Sequence, residues 1–249
     1  MLRKINVLSI DWDYFIDATV KERILYFPDA TTDSSSVFLQ SLVWANRYVS
    51  TPQLRDFNLI NDYDKVCAFL KKSPKAKALM VADSHRHAYD FVMKNVKKTD
   101  KVELVNIDFH HDLYGNPNEN GEAHAGDWAL KLKGKLTNLN LKWVKREDSE
   151  MPKTPIDVIT MDEALQKKYD YIFLCRSGAW SPPHLDGAFL GMANNLLALG
   201  PVMGEDGIME EREFEGIVEE LDSSMKQMME HMARDRAIEK EKEKSKENK

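Results

Sequence analysis

Cysteine is scarce in this chain: Cys67 and Cys175 are the two it has in 249 residues. They form no CxxC pair, which excludes a thiolate zinc knuckle, a redox dithiol and a disulfide framework. Both sit in apolar runs, which predicts two buried thiols in a reducing compartment. Long apolar runs are missing as well. None reaches the ~18 residues of a membrane span, and "MLRKINVLSI" holds too short an apolar stretch for a secretory leader. The expectation is a cytoplasmic protein without membrane contact. An excess of basic residues is absent too: net charge is −6 and the pI about 5.7. A nucleic-acid partner, which normally leaves a basic stripe, is therefore not expected. No internal repeat is found. The hydrophobic fraction, 43%, suffices for a sizeable core in one domain with an appendage.

What is present is a rhythm. Apolar runs of strand length recur as "INVLSI" from Ile5, "ALMVA" from Ala78, "VELVNI" from Val102, "LKWVK" from Leu141 and "YIFLC" from Tyr171. Helical patterns separate them, among them "YDKVCAFLKK", "HAYDFVMKNVKK" and "GDWALKLKG". Near-continuous apolar strands alternating with helices predict a three-layer α/β/α domain with a mostly parallel sheet. Residues 1–203 are assigned to it, with a partly helical insertion near 17–60 that contains "TTDSSS". Residues 204–249 read as a charged C-terminal helix and a disordered tail. Met225, Met228, Met229 and Met232 lie close to helical spacing there. They predict packing onto the body, onto a second copy or onto a partner.

Open parallel sheets bind ligands beyond the carboxyl ends of their strands. Three of the five candidate strands end in acids and imidazoles. The first runs into "SIDWDYF" with Asp11 and Asp13. The second runs into "ADSHRH" with Asp83, His85 and His87. The third runs into "IDFHHD" with Asp108, His110, His111 and Asp112. Carboxylates crowded this way repel one another unless protonated or neutralised. A divalent cation resolves the repulsion, and an oxygen-rich set with some imidazole suits a hard or borderline ion. In an extended segment Asp108, His110 and Asp112 share one side, as do Asp11 and Asp13. His111 points away and is expected to support the site indirectly.

"DFHHD" resembles the D-x-H-x-D motif of the arginase and histone-deacetylase superfamily. "SIDWDYFID" is similar to the S-x-D-x-D segment of arginases and agmatinases, although in those chains it follows D-x-H-x-D and here it precedes it. The resemblance implies an arginase/deacetylase-like fold and six ligands: Asp11, Asp13, His85, Asp108, His110 and Asp112. His87 is the alternative to His85. Manganese is implied, as one ion or two, with zinc as the alternative. Asp108 and Asp11 would bridge. "YGNPNENGEAHAGDW" resembles the glycine-rich loop of ureohydrolases and makes His124, with Asp108, a catalytic candidate. The implied activity is hydrolysis of a C–N bond in an amide- or guanidine-like group by metal-activated water. The substrate would be a small molecule or a modified side chain, and His124 would protonate the leaving amine. Arg176, Ser177 and His184 in "LCRSGAWSPPHLD" are further candidates for the pocket border. Two other readings compete. One is a non-catalytic protein that keeps a metal for stability and works through its insertion and last helix. The other is a haloacid-dehalogenase-type phosphatase with Asp11 as nucleophile, which leaves "DFHHD" unexplained.

Overall fold

The computed structural model describes residues 2–28, 33, 36–115 and 121–247, with side chains of the last helix described to 234 and at 236. Most of "TTDSSS" and the residues 116–120 of the glycine-rich loop lie outside the described residues. The strands are β1 (Lys4–Asp11), β2 (Ala78–Ala82), β3 (Lys101–Ile107), β4 (Asn138–Val144), β5 (Asp157–Val158), β6 (Tyr171–Cys175) and β7 (Val202–Gly204). All pair in parallel, in the order β5-β4-β3-β1-β6-β2-β7. Between and after them run α1 (Val20–Tyr26), α2 (Val37–Ser50), α3 (Asp62–Lys72), α4 (His87–Asn95), α5 (Trp128–Lys135), α6 (Met161–Leu165), α7 (Asp186–Leu197) and α8 (Glu215–Glu247).

The strands are apolar on both faces because both faces are covered. Successive side chains point to opposite sides of a strand. Leu8 and Ile10 of β1, Val105 and Ile107 of β3, and Ile172 and Leu174 of β6 pack with α3, α6 and α7. Ile5 and Val7, Val102 and Leu104, and Tyr171 and Phe173 pack on the other face with α4 and α5. The fold is thus a three-layer α/β/α sandwich. Cys67 and Cys175 are free and buried, one in each core. Among the described residues, no helix is long and apolar enough to cross a membrane.

The order of the strands fixes where a crevice opens. The connection leaving β1 reaches β2 by way of α3 on one face. The connection leaving β3 reaches β4 by way of α5 on the other face. β1 and β3 are neighbours, so their carboxyl ends diverge into a switch-point crevice.

The insertion builds a small aromatic core of its own. Phe27 and Trp44 meet edge to face at 5.3 Å, and Tyr48 stacks on Phe214 at 5.1 Å. Phe214 and Val218 come from the C-terminal region, as do the buried Ile208 and Arg212. The segment between β7 and α8 is therefore part of the body rather than of an appendage. Two expectations for the last helix are corrected. Met225, Met228, Met229 and Met232 are exposed, which removes packing onto the body and leaves the alternatives of a partner or a second copy as they were. The segment expected to fray is helical to Glu247. It is rich in Glu and Lys, which favour helix, and carries neither Pro nor Gly.

Arg212 is the main polar tie between this C-terminal segment and the sheet edge. It is fully buried and grips Asp186 through both carboxylate oxygens, at 2.6 and 2.8 Å. It also donates to the carbonyls of Gly178 and Ser181 at 2.7 Å each. Arg212→Ala leaves Asp186 with the Arg176 guanidinium at 3.9 Å and the backbone N–H of residue 212 at 2.9 Å as its partners, and should cost about 3 kcal/mol. Urea titration of the variant beside wild type measures it; a midpoint unchanged within error would show that the pair is dispensable.

Candidate metal centre

Asp11 is the last residue of β1. Beyond it the chain does not stay extended but closes into a 3-10 turn at Trp12–Phe15, which Asp11 caps by accepting from the Asp13 backbone N–H at 3.1 Å. At the end of β3 the Asp108 carboxylate accepts from the His110 N–H at 2.7 Å and curls the chain. Asp112 then takes a left-handed conformation, φ 51°. The expectation that strand alternation aligns these acids is therefore corrected. Side-chain-to-backbone bonds bend each segment, as Asp residues readily do, and the bends bring the carboxylates inward.

His85 comes from the turn between β2 and α4. The three strand ends are not all neighbours, because β6 lies between β1 and β2. The imidazole bridges the gap by lying parallel to Phe173 of β6, ring centres 5.7 Å apart. Its Nε2 meets Ser9 Oγ at 2.7 Å. Its Nδ1 faces Asp11 at 3.0 Å, Asp112 at 3.1 Å and Asp108 Oδ2 at 3.2 Å. On the other side of Asp108, His110 Nδ1 lies 3.2 Å from Asp13 and 3.9 Å from Asp108 Oδ1. Asp11, His85 and Asp108 lie close enough to hold a metal ion, and so do Asp13, Asp108 and His110. The two groups share Asp108, one carboxylate oxygen turned to each.

Each acid has a dedicated donor. Ser177 Oγ donates to Asp11 at 2.7 Å, Asn106 to Asp108 at 2.9 Å, Trp128 Nε1 to Asp112 at 2.5 Å and Arg23 to Asp13 at 3.4 Å. Asn106, Trp128 and Arg23 were not singled out from sequence. Asn106 alone had a local signal, two places before Asp108 on the same face of β3. Ser177, which was singled out, is the second non-glycine residue in the left-handed region, φ 49°.

Other candidates fall elsewhere. His87 pairs with Glu205 at 2.8 Å, away from the carboxylates, which favours His85. His111 accepts from the Leu113 N–H at 2.9 Å and sits against Tyr114 and Trp143, so it holds the turn around Asp112 and touches no acid of the cluster. Arg176 is buried on Asp83 at 2.7 Å, beside a separate cavity of about 260 Å³. His184 bridges Tyr48 and the Phe57 carbonyl inside the insertion core. His124 is exposed and lines the cavity above the cluster. That cavity, about 650 Å³, reaches Asp11, His85, His110 and Asp112, with Tyr114 and Trp180 in its wall.

No family model matches the chain, and neither a curated protein nor a solved structure matches it.

The electrostatics show what the cluster needs. Asp11, Asp13, Asp108 and Asp112 are all buried. Burial, followed by the fields of Asp13 and Asp108, pushes Asp11 up to about 6. Burial and Asp112 push Asp108 up to about 7. Burial works against charge on His110, but Asp13 and Asp108 overcome it and raise the imidazole to about 9. His85 is raised well above its ordinary value by Asp112 and Asp11, again against burial. Even with both imidazoles protonated and Arg23 included, four ionised carboxylates leave negative charge unbalanced. Within the cluster, the buried Asp13 Oδ1 makes no hydrogen bond, and the buried His85 Nδ1, set among three carboxylates, makes none of proper angle with any of them. These unmatched donor atoms and this oxygen-rich set fit a divalent ion.

Linkage gives the sign of a test. Raised carboxylates bind more protons folded than unfolded between pH of about 4 and 7. The raised His110 does so between its ordinary value of 6.5 and about 9. In both windows stability falls as pH rises. Asp13, lowered by His110 and Arg23 against its burial, acts in the opposite sense below its ordinary 3.8, and His111 and His184, lowered by burial, do so below their ordinary 6.5, fewer in number than the raised groups. Metal-free protein should therefore melt at a lower temperature at pH 8 than at pH 5. Manganese, bound by the ionised form, should restore more stability at pH 8. Thermal melts in chelator and in excess Mn²⁺ at the two pH values check this; equal melting points throughout would refute it.

Proposed function

We propose that the chain is a metal-dependent hydrolase acting on a C–N bond of an amide- or guanidine-like group. Manganese is the ion proposed, two ions being held by Asp11, Asp13, His85, Asp108, His110 and Asp112. The observation that carries this reading is the sharing of Asp108: one buried carboxylate turns an oxygen to each of two acid–imidazole groups. A bound divalent ion lowers the pKa of water to near neutrality and offsets negative charge developing on the substrate.

The chain supplies the rest. Ser9 holds His85 from behind, fixing its ring orientation so that Nδ1 faces the acids. Trp128 and Ser177 do the same for Asp112 and Asp11. Tyr114 lines the cavity, and burial, with Glu150 and Asp112, pushes its phenol up to about 12. It stays protonated near neutral pH and can donate a hydrogen bond to an oxygen that gains charge. His124, which lines the same cavity, would hand a proton to a leaving amine. An open cavity against the cluster favours an enzyme over a site that keeps metal only for stability, where a closed ligand shell is expected.

Metal content and turnover separate these roles. Manganese-reconstituted protein should retain two ions per chain by elemental analysis. Asp108→Asn should lose metal and activity together. His124→Ala should keep its metal and lose about 10²–10⁴-fold in turnover of a responsive amide or guanidine. Metal content near zero in wild type would end the hydrolase reading, and full turnover in His124→Ala would remove that residue from the mechanism.

A further inference from the structure

The cavity above the cluster adjoins a second one. This second cavity, about 400 Å³, shares His110, Tyr114 and Trp180 with the first. Its size is that of a small-ligand pocket. The walls away from the cluster are apolar, from Ile24, Phe27 and Phe109, and two charged side chains, Arg47 and Glu150, complete them.

The cations of this cavity differ in commitment. The Arg23 guanidinium, 3.9 Å from the centre of the Phe109 ring, is fully engaged with Asp13 and with backbone carbonyls. Arg47, on α2, is half-buried, and among the described residues its guanidinium has neither a hydrogen-bond nor an ion-pair partner. A guanidinium partly withdrawn from water and facing apolar walls is stabilised by an anion, and its planar fork matches a carboxylate. Glu150 is exposed. Water and salt screen its repulsion of an anion more than they screen the attraction of Arg47.

We propose that this second cavity is a subsite for an aryl or branched-alkyl group ending in a carboxylate, with Arg47 binding the carboxylate. Its orientation rests on the hydrolase reading: the scissile C–N bond lies over the cluster, and the apolar acid is the part of the substrate that is recognised. Trp180 and Tyr114, common to both cavities, pass the molecule from one to the other. The substrate class is then an amide or guanidine whose non-reacting portion is an apolar carboxylic acid.

The probes are 3-phenylpropionate and 3-phenylpropionamide, of nearly the same shape, the amide offering Arg47 one uncharged acceptor oxygen in place of a charged pair. Calorimetric titration of the full chain in chelator removes any contribution from metal coordination. The carboxylate should bind about ten-fold or more tightly than the amide, as charge-assisted hydrogen bonds do. Arg47→Met should abolish that preference, Arg47→Lys should keep part of it, and Glu150→Gln should increase it. Far-UV dichroism and melting of each variant verify that it is folded. Equal affinity for the two probes, no measurable binding of either, or a preference that survives Arg47→Met would overturn the proposal. Metal content measured on manganese-loaded samples keeps the two readings apart. A preference without metal retention leaves a carboxylate-binding pocket and removes the hydrolase. Metal retention without preference removes the subsite alone.

Discussion

Four carboxylates buried at the end of two adjacent strands must be neutralised, and much of the molecule is arranged around that requirement. At an effective dielectric of 20, two like charges 4 Å apart repel by about 4 kcal/mol. Asp11, Asp13, Asp108 and Asp112 impose several such terms at once. Protons, imidazolium groups and Arg23 answer part of the demand, which is why Asp11 and Asp108 are driven toward the neutral form while His85 and His110 are driven toward the charged one. The two non-glycine residues found at positive φ among those described, Asp112 and Ser177, both belong to this cluster. Backbone strain of this kind costs on the order of 1–3 kcal/mol per residue and persists where the surroundings enforce it. Here Trp128 holds Asp112, and Ser177 is held by its bond to Asp11.

The sheet supplies the rigidity that such crowding needs. β1 lies at the centre of seven strands, flanked by β3 and β6. Its neighbours deliver Asp108 from one side and Ser177 from the other, and His85 arrives from one strand further on across Phe173. An acidic cluster on flexible loops would relax by moving its charges apart. Anchored at the ends of paired strands, it cannot, and the repulsion is one that a cation would relieve.

Much of the fold was readable from sequence because its signals are local. The five long apolar runs are strands, and the helices between them follow the expected periodicity. β5 and β7 escaped notice because they are two and three residues long and sit at the sheet edges, where one partner suffices and little apolar pattern is needed. The acids and imidazoles of the cluster were readable as residue types at strand ends, but not their geometry. Alternation suggested an extended approach, whereas the Asp11 and Asp108 carboxylates bond the following backbone and fold it over. Partners distant in sequence were least visible. Trp128 stands 16 residues from Asp112 and Ser177 stands 166 from Asp11. Choosing His85 over His87 required knowing that Glu205 captures the latter.

The cluster and the walls above it have separate structural supports. The acids hang from the ends of strands stabilised by the two main cores, and two of their four donors, Asn106 and Trp128, are strand and helix residues of the same sandwich. Ile24, Phe27 and Arg47 belong instead to the insertion, whose aromatic core is closed by Phe214 and Val218 from the C-terminal region. Arg23 spans both, bonded to Asp13 while lying over Phe27 and Phe109, and Trp44 and Gln40 of α2 also cross over, to the Gly178 carbonyl and to Asp83. Changes in the insertion can therefore reach the cluster through these three side chains, whereas Arg47 bonds none of the acids or their donors. A scaffold divided in this way can alter the cavity walls while conserving a charge arrangement close enough to hold a cation.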